Sequence, residues 1–248
     1  MVLNAFFKEN PKVALAFSGG VDSAFLLYAA KQAGAQVRAY YVKTPFGPQF
    51  EYEDAVGLAQ QLGAEITVLE VDVLCDPQIV ANPKNRCYYC KKRLFSAICQ
   101  QAKADDFAIV IDGTNASDDP ADRPGMQALT ELQVRSPLRE CGLTKAEIRK
   151  LSKEAGLFTH DKPAYACLAT RIPAGTPITQ QVLSLTERSE DFLRKLGFAD
   201  FRVRYMDGCA KIQVTEKDLP LFLQRRETIV KELKKDYVSV LLDLEVRP

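Results

Sequence analysis

The chain has 248 residues, 47% of them hydrophobic, which is enough for one large domain or for a large and a small one. Its 33 basic and 32 acidic residues leave a net charge of +1, which excludes the strong positive field of most polyanion-binding proteins, so we expect no nucleic-acid partner. One histidine and seven cysteines exclude a multi-histidine metal site and a fully paired disulfide framework.

The sequence has no apolar run that approaches the roughly 20 residues of a membrane span. Its first residues, MVLNAFFKENPK, show neither the basic head nor the small-residue cleavage site of a secretory signal. We therefore expect a cytoplasmic protein without membrane contact.

The first half of the chain alternates short apolar runs with amphipathic segments. In chain order these are KVALAF, DSAFLLYAAKQAG, AQVRAYYV, YEDAVGLAQQLG and EITVLEVDV. Strand, helix, strand, helix, strand predicts a Rossmann-like α/β fold with a parallel sheet covered on its faces. A helix over about residues 88–102, a strand over 107–112 and a helix with Thr144 as N-cap and Glu147 three residues later continue this pattern.

From Thr179 the pattern becomes helix, two strands, helix and strand, which predicts a small C-terminal α+β domain. We place the domain boundary between residues 1–172 and 173–248. Two long segments, residues 113–128 and 157–179, fit neither pattern. Long loops within a compact domain are usually functional or disordered, so we expect these two to line a site.

The segment AFSGGVDSAFLL follows the first predicted strand and opens the first helix. Gly19 and Gly20 allow the backbone to approach an anion, while Ser18 and Ser23 offer hydroxyls beside the amides of the helix start. The loop lacks the lysine of a Walker A motif and the spacing of a dinucleotide motif. The alternative is a structural turn in which Asp22 and Ser23 cap the helix.

In this context SGGVDS resembles the PP-loop of the ATP pyrophosphatase superfamily. The resemblance implies that ATP is cleaved between its α- and β-phosphates with Mg²⁺, that an acceptor oxygen is adenylated, and that Asp22 assists the metal or the phosphate. The expected ATP contacts are Ser18, Gly19, Gly20, Val21, Asp22 and Ser23. Ligands of such folds lie beyond the carboxyl ends of the strands. The loop after the fourth strand is therefore expected to add Gly113, Thr114, Asn115 and Asp118, unless it is only a polar turn.

Cys87 and Cys90 form a C-x-x-C pair near a predicted helix start, a spacing common to zinc and iron–sulfur sites. Cys167 lies in the second unusual segment. Three thiolates can hold a [4Fe–4S] cluster and leave its fourth iron open, which suits sulfur delivery. A structural zinc closed by His160 is the competing interpretation, and two incidental helical cysteines are another.

The motifs SGGVDS, NRCYYCKKRLF, DGTNASDDPADRPG, VRSPL, LTKAEIRKLSKEAGL and DKPAYACLATRIPAGTPIT together resemble the LarE family of ATP-dependent sulfur transferases. The match runs in order across nearly the whole chain and includes the late FRVRY. The resemblance implies adenylation of a carboxylate of pyridinium-3,5-biscarboxylic acid mononucleotide, attack by sulfur, loss of AMP and release of a thiocarboxylate. It implies a small-molecule nucleotide substrate, an ATP-binding first domain, a substrate-binding second domain and a homo-oligomer.

Two versions of the sulfur step exist in this family. In one, the cysteine that matches Cys167 gives up its own sulfur and becomes dehydroalanine. In the other, that cysteine joins a C-x-x-C pair to bind a [4Fe–4S] cluster. The presence of Cys87, Cys90 and Cys167 favours the cluster version, with Cys167 and Asp22 as catalytic residues.

Arg202 and Arg204 alternate on a predicted strand, so their side chains share a face and could hold a phosphate together. They match family arginines assigned to the substrate phosphate, and Arg171 is a further candidate for the same anion. The alternative is a pair of solvated arginines. Glu190 matches a family carboxylate linked to metal binding, but its helical position favours a solvated side chain.

Two rival functions remain. One is a tRNA thiolase of the same superfamily, which would be expected to show a basic face or an RNA-binding appendage. The other is a nucleotide-binding regulatory module with a structural zinc, which would bind ATP without releasing pyrophosphate.

Overall fold

The fold is known from a computed structural model that describes residues 2–119 and 124–247. The N-terminal helices and strands are α1 (Val2–Glu9), β1 (Lys12–Ala16), α2 (Val21–Gln32), β2 (Gln36–Lys43), α3 (Gln49–Gln61), β3 (Glu65–Glu70), α4 (Pro77–Val80), α5 (Arg86–Ala104) and β4 (Val110–Ile111). They are followed by α6 (Gly125–Glu131), α7 (Pro137–Glu140), α8 (Lys145–Glu154), α9 (Gln180–Lys195), β5 (Phe201–Met206), β6 (Cys209–Val214), α10 (Leu219–Leu233) and β7 (Val240–Leu242). Short 3₁₀ helices span Phe158–His160, Leu168–Arg171 and Glu216–Asp218.

Strands β1 to β4 form a parallel sheet in the described part of the chain, in the order β3-β2-β1-β4. The central strand β1 is fully buried at Val13, Ala14 and Leu15, which explains its continuous apolar sequence. The predicted Rossmann-like α/β class is thus confirmed. The predicted strand over 107–112 shortens to β4, because only Val110 and Ile111 pair with β1.

A mixed sheet with the order β5-β6-β7 forms the C-terminal part, where β5 is antiparallel and β7 parallel to β6. Its core is built by the inward-facing residues of these strands and by α9 and α10, as shown by the buried side chains of Leu193, Val203, Ile212 and Ile229. The predicted small α+β domain is therefore present, although β7 is shorter than the apolar run from Tyr237 suggested.

The chain divides into two compact units. The first comprises residues 1–73 and 85–164, and the second comprises 74–84 and 165–248. The second unit therefore includes the short helix α4 and residues 165–179, here called the Cys167 segment. The division into an ATP-binding domain (residues 1–172) and a substrate-binding domain (residues 173–248) stays a prediction.

Several short elements were not expected from the sequence, namely α1, α4, α6 and α7. The helix over LTKAEIRKLSKEAG was expected, and the capping box between Thr144 and Glu147 is present. Residues 120–123 of the motif DGTNASDDPADRPG lie outside the described residues. None of the helices that the structure describes is long and apolar enough to cross a membrane.

Candidate functional site

The motif SGGVDS (residues 18–23), here called the phosphate loop, follows β1 and runs into the start of α2, and only glycine fits at its first turn. Gly19 has φ of 73°, a left-handed conformation that side chains disfavour. A Cβ added there would lie 2.8 Å from the Cβ of Ala55 on α3, which is closer than such atoms approach. The loop backbone is thus held close against α3.

The two serines of this loop are hydrogen-bonded to each other and to the backbone. The Ser23 hydroxyl donates to the Gly20 carbonyl over 3.1 Å, and the Ser18 and Ser23 hydroxyl oxygens are 3.1 Å apart. The first amides of α2, beginning at the buried Val21, have no acceptor within the helix. This combination of hydroxyls and helix-start amides is suited to phosphate oxygens.

The loop after β4 reaches the same edge of the sheet, because β4 is the parallel neighbour of β1. A Cβ at Gly113 would lie 2.9 Å from the backbone nitrogen of Ser23, so glycine lets this loop touch the start of α2. The sequence placed these two loops together, and the structure has them in contact within the first unit.

Polar contacts fix the conformation of this second loop. The Thr114 hydroxyl donates to Asp112 over 2.5 Å, and the backbone amide of Asn115 donates to the Asp118 carboxylate over 3.0 Å. The side-chain amide of Asn115 approaches Asp22 of the phosphate loop at 3.4 Å, a long hydrogen bond. Asn115 is 2% exposed, so its amide is oriented by burial as well as by its partners.

Sequence reasoning missed other residues of this site. The ammonium of Lys145 lies 2.6 Å from the Asp22 carboxylate, and the Ser136 hydroxyl donates to Asp112 over 2.6 Å. The predicted N-cap at Thr144 already made Lys145 the first residue of α8. That signal could have located the lysine on the helix but not the carboxylate it faces.

Cys87 and Cys90 lie in the first turns of α5, in the first unit. A separation of three residues places them on neighbouring positions of one helix surface. Cys87 is exposed, and the Arg86 guanidinium donates to its sulfur over 3.9 Å. Nearby, Lys92 pairs with Glu131 of α6 over 2.8 Å, which fastens α5 to α6.

Cys167 belongs to the second unit, immediately before the 3₁₀ helix Leu168–Arg171. Its carbonyl accepts hydrogen bonds from the backbone amide of Thr170 over 3.0 Å and from the Thr170 hydroxyl over 2.8 Å. Among the residues that the structure describes, no group of three or more His, Cys, Asp or Glu side chains is arranged to hold a metal ion. The three-thiol site stays a prediction.

Glu190 of α9 organises the segment that carries Cys167. Its carboxylate accepts two hydrogen bonds from Arg171, over 2.7 and 3.1 Å, and one from the Tyr165 hydroxyl over 2.5 Å. It also accepts the backbone amide of Val203 over 3.0 Å. The Glu190 and Arg171 side chains are each 1% exposed, so the expectation of a solvated Glu190 is wrong. A carboxylate facing this many donors is far more favourable buried than one without partners.

Arg171 has its guanidinium committed to the protein. Besides Glu190, it donates to the Ala166 carbonyl over 3.1 Å and to the Thr170 hydroxyl over 2.7 Å. Burial by itself lowers the pKa of Arg171, but the hydrogen bonds and charge of Glu190 outweigh it and raise that pKa overall. The same buried carboxylate adds to burial in raising the pKa of Tyr165.

Arg202 and Arg204 of β5 both reach the Cys167 segment. The Arg202 guanidinium lies over the Tyr165 ring at 5.1 Å, and Arg204 donates to the Thr170 carbonyl over 3.1 Å. Burial, followed by the positive charge of Arg171, lowers the pKa of Arg202 to about 10 and also lowers that of Arg204. Such crowding of cations is unfavourable on its own and is relieved by a bound anion.

Comparison with known proteins gives relatives but no matching protein-family model. The chain is 37% identical, over 90% of its length and 83% of the relative, to an uncharacterized protein of Synechocystis sp.. It is 32% identical, over 98% of its length and 89% of the relative, to pyridinium-3,5-bisthiocarboxylic acid mononucleotide synthase of Lactiplantibacillus plantarum. A tRNA-specific 2-thiouridylase MnmA of Clostridium perfringens is 29% identical over 61% of this chain and 53% of that enzyme.

Proposed function

Since the chain belongs to the LarE family of PP-loop sulfur transferases, we propose that it converts pyridinium-3,5-biscarboxylic acid mononucleotide to a thiocarboxylate at the expense of ATP. The observation that carries this function is the 32% identity to the mononucleotide synthase over 98% of the chain. The sequence motifs that suggested the family are spread over the same length, from SGGVDS to FRVRY.

The activation step uses ATP in the first unit. An oxygen of the substrate carboxylate attacks the α-phosphorus, the bond to the β-phosphate oxygen breaks, and pyrophosphate leaves with the electron pair. The glycine-lined phosphate loop and its serine hydroxyls bind the departing pyrophosphate. Asp22 would hold Mg²⁺, because that ion prefers hard oxygen donors such as a carboxylate.

The second unit binds the substrate phosphate through Arg202 and Arg204. They lie two residues apart on one face of β5, and burial together with the positive charge of Arg171 lowers the pKa of both, which supports an anion site there. Arg171 has its donors directed to Glu190, Ala166 and Thr170, which supports a role in shaping the Cys167 segment rather than in direct phosphate contact.

We propose that Cys87, Cys90 and Cys167 hold a [4Fe–4S] cluster, which when bound supplies the sulfur atom for transfer. The chemistry of the donor set fits: three thiols, two of them in a C-x-x-C pair at a helix start, leave one iron for a further ligand. The competing use of Cys167 as a consumable sulfur source requires no partner thiols, so it leaves the C-x-x-C pair unexplained.

The test is anaerobic purification followed by iron and sulfide analysis of the wild type and of Cys87→Ala. Substrate-dependent pyrophosphate release is then measured, and the mass of the intact protein is determined by mass spectrometry after turnover. Retained iron in the wild type, its loss in the variant and an unchanged protein mass over repeated turnovers support the cluster. A protein lighter by one H₂S at Cys167 would show sacrifice instead.

The similarity to the 2-thiouridylase favours tRNA as a second candidate substrate, but it covers only 61% of this chain. The net charge of +1 disfavours a polyanionic substrate. Pyrophosphate release stimulated by tRNA and not by the pyridinium mononucleotide would reverse this ranking. We further propose a cytoplasmic homo-oligomer, as the family resemblance implies, and gel filtration with light scattering tests its assembly.

A further inference from the structure

The sheet of the second unit has one apolar face and one face that carries charged side chains. Val203 of β5 and Ile212 of β6 point into the core and are fully buried. Because successive side chains of a strand alternate, Arg202 and Arg204 lie on the opposite face. Arg204 is paired in register with Lys211 of β6, so their side chains are neighbours there. These three cations define what is here called the charged face.

Lys211 is held on this face by a carboxylate that follows β7. Its ammonium lies 2.8 Å from the Asp243 carboxylate. The hydrogen bond from Lys211 is the main cause that lowers the pKa of Asp243, and the positive charge of Arg204 adds to it, so the three side chains are within electrostatic reach of one another. The Lys211 side chain is 33% exposed, which leaves its ammonium accessible to a ligand.

Stability does not account for a lysine at this position. Like charges directly opposite each other on neighbouring strands are destabilising, and Lys211 is opposite Arg204. A partly exposed lysine–carboxylate pair returns little, because solvent screens it and ordering a long side chain costs entropy. An ammonium has three N–H donors, however, so Lys211 can keep Asp243 and bind a second carboxylate at the same time.

The substrate of the proposed function carries more anionic groups than the two arginines can serve. It has a phosphate and two carboxylates on one pyridinium ring, and while one carboxylate reacts with ATP the other keeps its charge. The ribose separates the ring from the phosphate, so a cation for the second carboxylate must lie beside the phosphate site rather than within it. Lys211 meets this requirement, because it is on the strand next to Arg204 and on the same face.

We propose that Lys211 binds the ring carboxylate that is not being activated and thereby selects the dicarboxylate over pyridinium nucleotides with fewer carboxylates. This inference rests on the proposed function and on the phosphate site at Arg202 and Arg204. Without substrate the ammonium pairs with Asp243. With substrate it bridges Asp243 and the second carboxylate, so that the ring is held at two points, its phosphate and this carboxylate.

The first test measures binding to the full-length protein by isothermal titration calorimetry. Pyridinium-3,5-biscarboxylic acid mononucleotide is compared with nicotinamide mononucleotide, which has the same ring, ribose and phosphate but an uncharged amide. We expect Lys211→Met to weaken the dicarboxylate on the order of 10- to 100-fold and to change the amide little. Lys231→Met, which removes a charge from an exposed position on α10, should bind both like the wild type. An equal loss for both ligands in Lys211→Met overturns the proposal.

A second variant separates direct contact from action through Asp243. In Lys211→Met the unpaired Asp243 carboxylate repels a substrate anion, so the substitution is repeated in an Asp243→Asn background. A lower affinity for the dicarboxylate in the double variant than in Asp243→Asn alone supports direct contact. Equal affinities of these two proteins overturn it. Lys211→Arg keeps the positive charge and should recover most of the affinity, which excludes a fault in folding as the cause.

Pyrophosphate release tests whether the carboxylate held by Lys211 is the one that does not react. The wild type should have a higher kcat/KM for the dicarboxylate than for nicotinic acid mononucleotide, which has one ring carboxylate, and Lys211→Met should lower kcat/KM for the dicarboxylate alone. An unchanged preference in the variant overturns the proposal. Wild-type protein that shows the Lys211 effect on binding but no substrate-dependent pyrophosphate release would contradict the proposed function while leaving the assignment of Lys211 intact.

Discussion

At the scale of single residues, Glu190 and Arg171 form an ion pair that is almost completely removed from water. Truncating Glu190 leaves a buried guanidinium without its counterion, which typically costs about 3–5 kcal/mol. We expect Glu190→Ala to lower the free energy of unfolding by this amount in urea titrations. Glu227→Gln on α10 is the control, since that side chain is 90% exposed and its change should be small. A loss in Glu190→Ala no larger than in the control would contradict the buried network.

The double variant Glu190→Met with Arg171→Met refines this prediction. Replacing both members of a buried ion pair by apolar residues of similar volume is often neutral for stability. We expect the double variant to recover most of the stability lost in Glu190→Ala. It should nevertheless transfer sulfur poorly, because the Ala166 carbonyl and the Tyr165 hydroxyl beside Cys167 lose their partners.

Cys167 is expected to act after activation of the substrate, because in the proposed reaction sulfur attacks a carboxylate that ATP has already adenylated. Cys167→Ala should therefore abolish thiocarboxylate formation while substrate-dependent pyrophosphate release continues. Liquid chromatography of the reaction mixture, together with a pyrophosphate assay, measures both steps. Cys209→Ala on β6 is the matched control and should retain both. If Cys167→Ala lost pyrophosphate release while Cys209→Ala kept it, Cys167 would be needed for activation as well.

At the scale of elements, the loop between β1 and α2 depends on the close approach of Gly19 to Ala55. Gly34, which follows α2, has nearly the same φ, 74° against 73°, but a Cβ there would meet no atom within 4 Å. Alanine at either position costs roughly 1–2 kcal/mol of backbone strain. Only Gly19→Ala should also weaken ATP binding, because only there must α3 or the loop move. Calorimetric titration with ATP tests this, and equal ATP affinities in the two variants would contradict it.

The elements also show where local sequence signals were sufficient. The strand β1, the helix α2 and the capping box at Thr144 were expected because periodicity and capping act over a few neighbouring residues. The strand β4 was predicted too long, since its length depends on how many residues find partners on β1 rather than on its own apolar run. The short α6 and α7 have too few turns for a periodic signal.

At the scale of the whole molecule, the chain leaves the first unit after Val73 and returns at Asn85, and Asn82 anchors the intervening segment within the second unit. The Asn82 side-chain amide donates to the carbonyls of Pro173 over 2.8 Å and of Thr176 over 3.0 Å. Asn82 is 1% exposed, so its replacement by alanine takes a buried amide donor away from these carbonyls.

Asn82→Ala should therefore destabilise the second unit by about 1–3 kcal/mol, since two hydrogen bonds are lost and each typically contributes about 0.5–1.5 kcal/mol. Hydrogen exchange is expected to accelerate in residues 172–178 while the β1–β4 sheet of the first unit exchanges as before. Asn10→Ala, which removes one bond to the Phe6 carbonyl in the first unit, serves as the comparison. Unchanged exchange in residues 172–178 would show that Asn82 does not anchor this segment.

The sequence by itself determined the parallel α/β class, the phosphate loop and the family, because each depends on short motifs or on the periodicity of apolar residues along the chain. It also paired the loop after β4 with the phosphate loop, since parallel strands end at one edge of a sheet. Only the tertiary structure decided that Lys145 faces Asp22 and that Glu190 is buried against Arg171. Such contacts join residues far apart in the chain, and their free energy depends on the environment that folding creates around each charge.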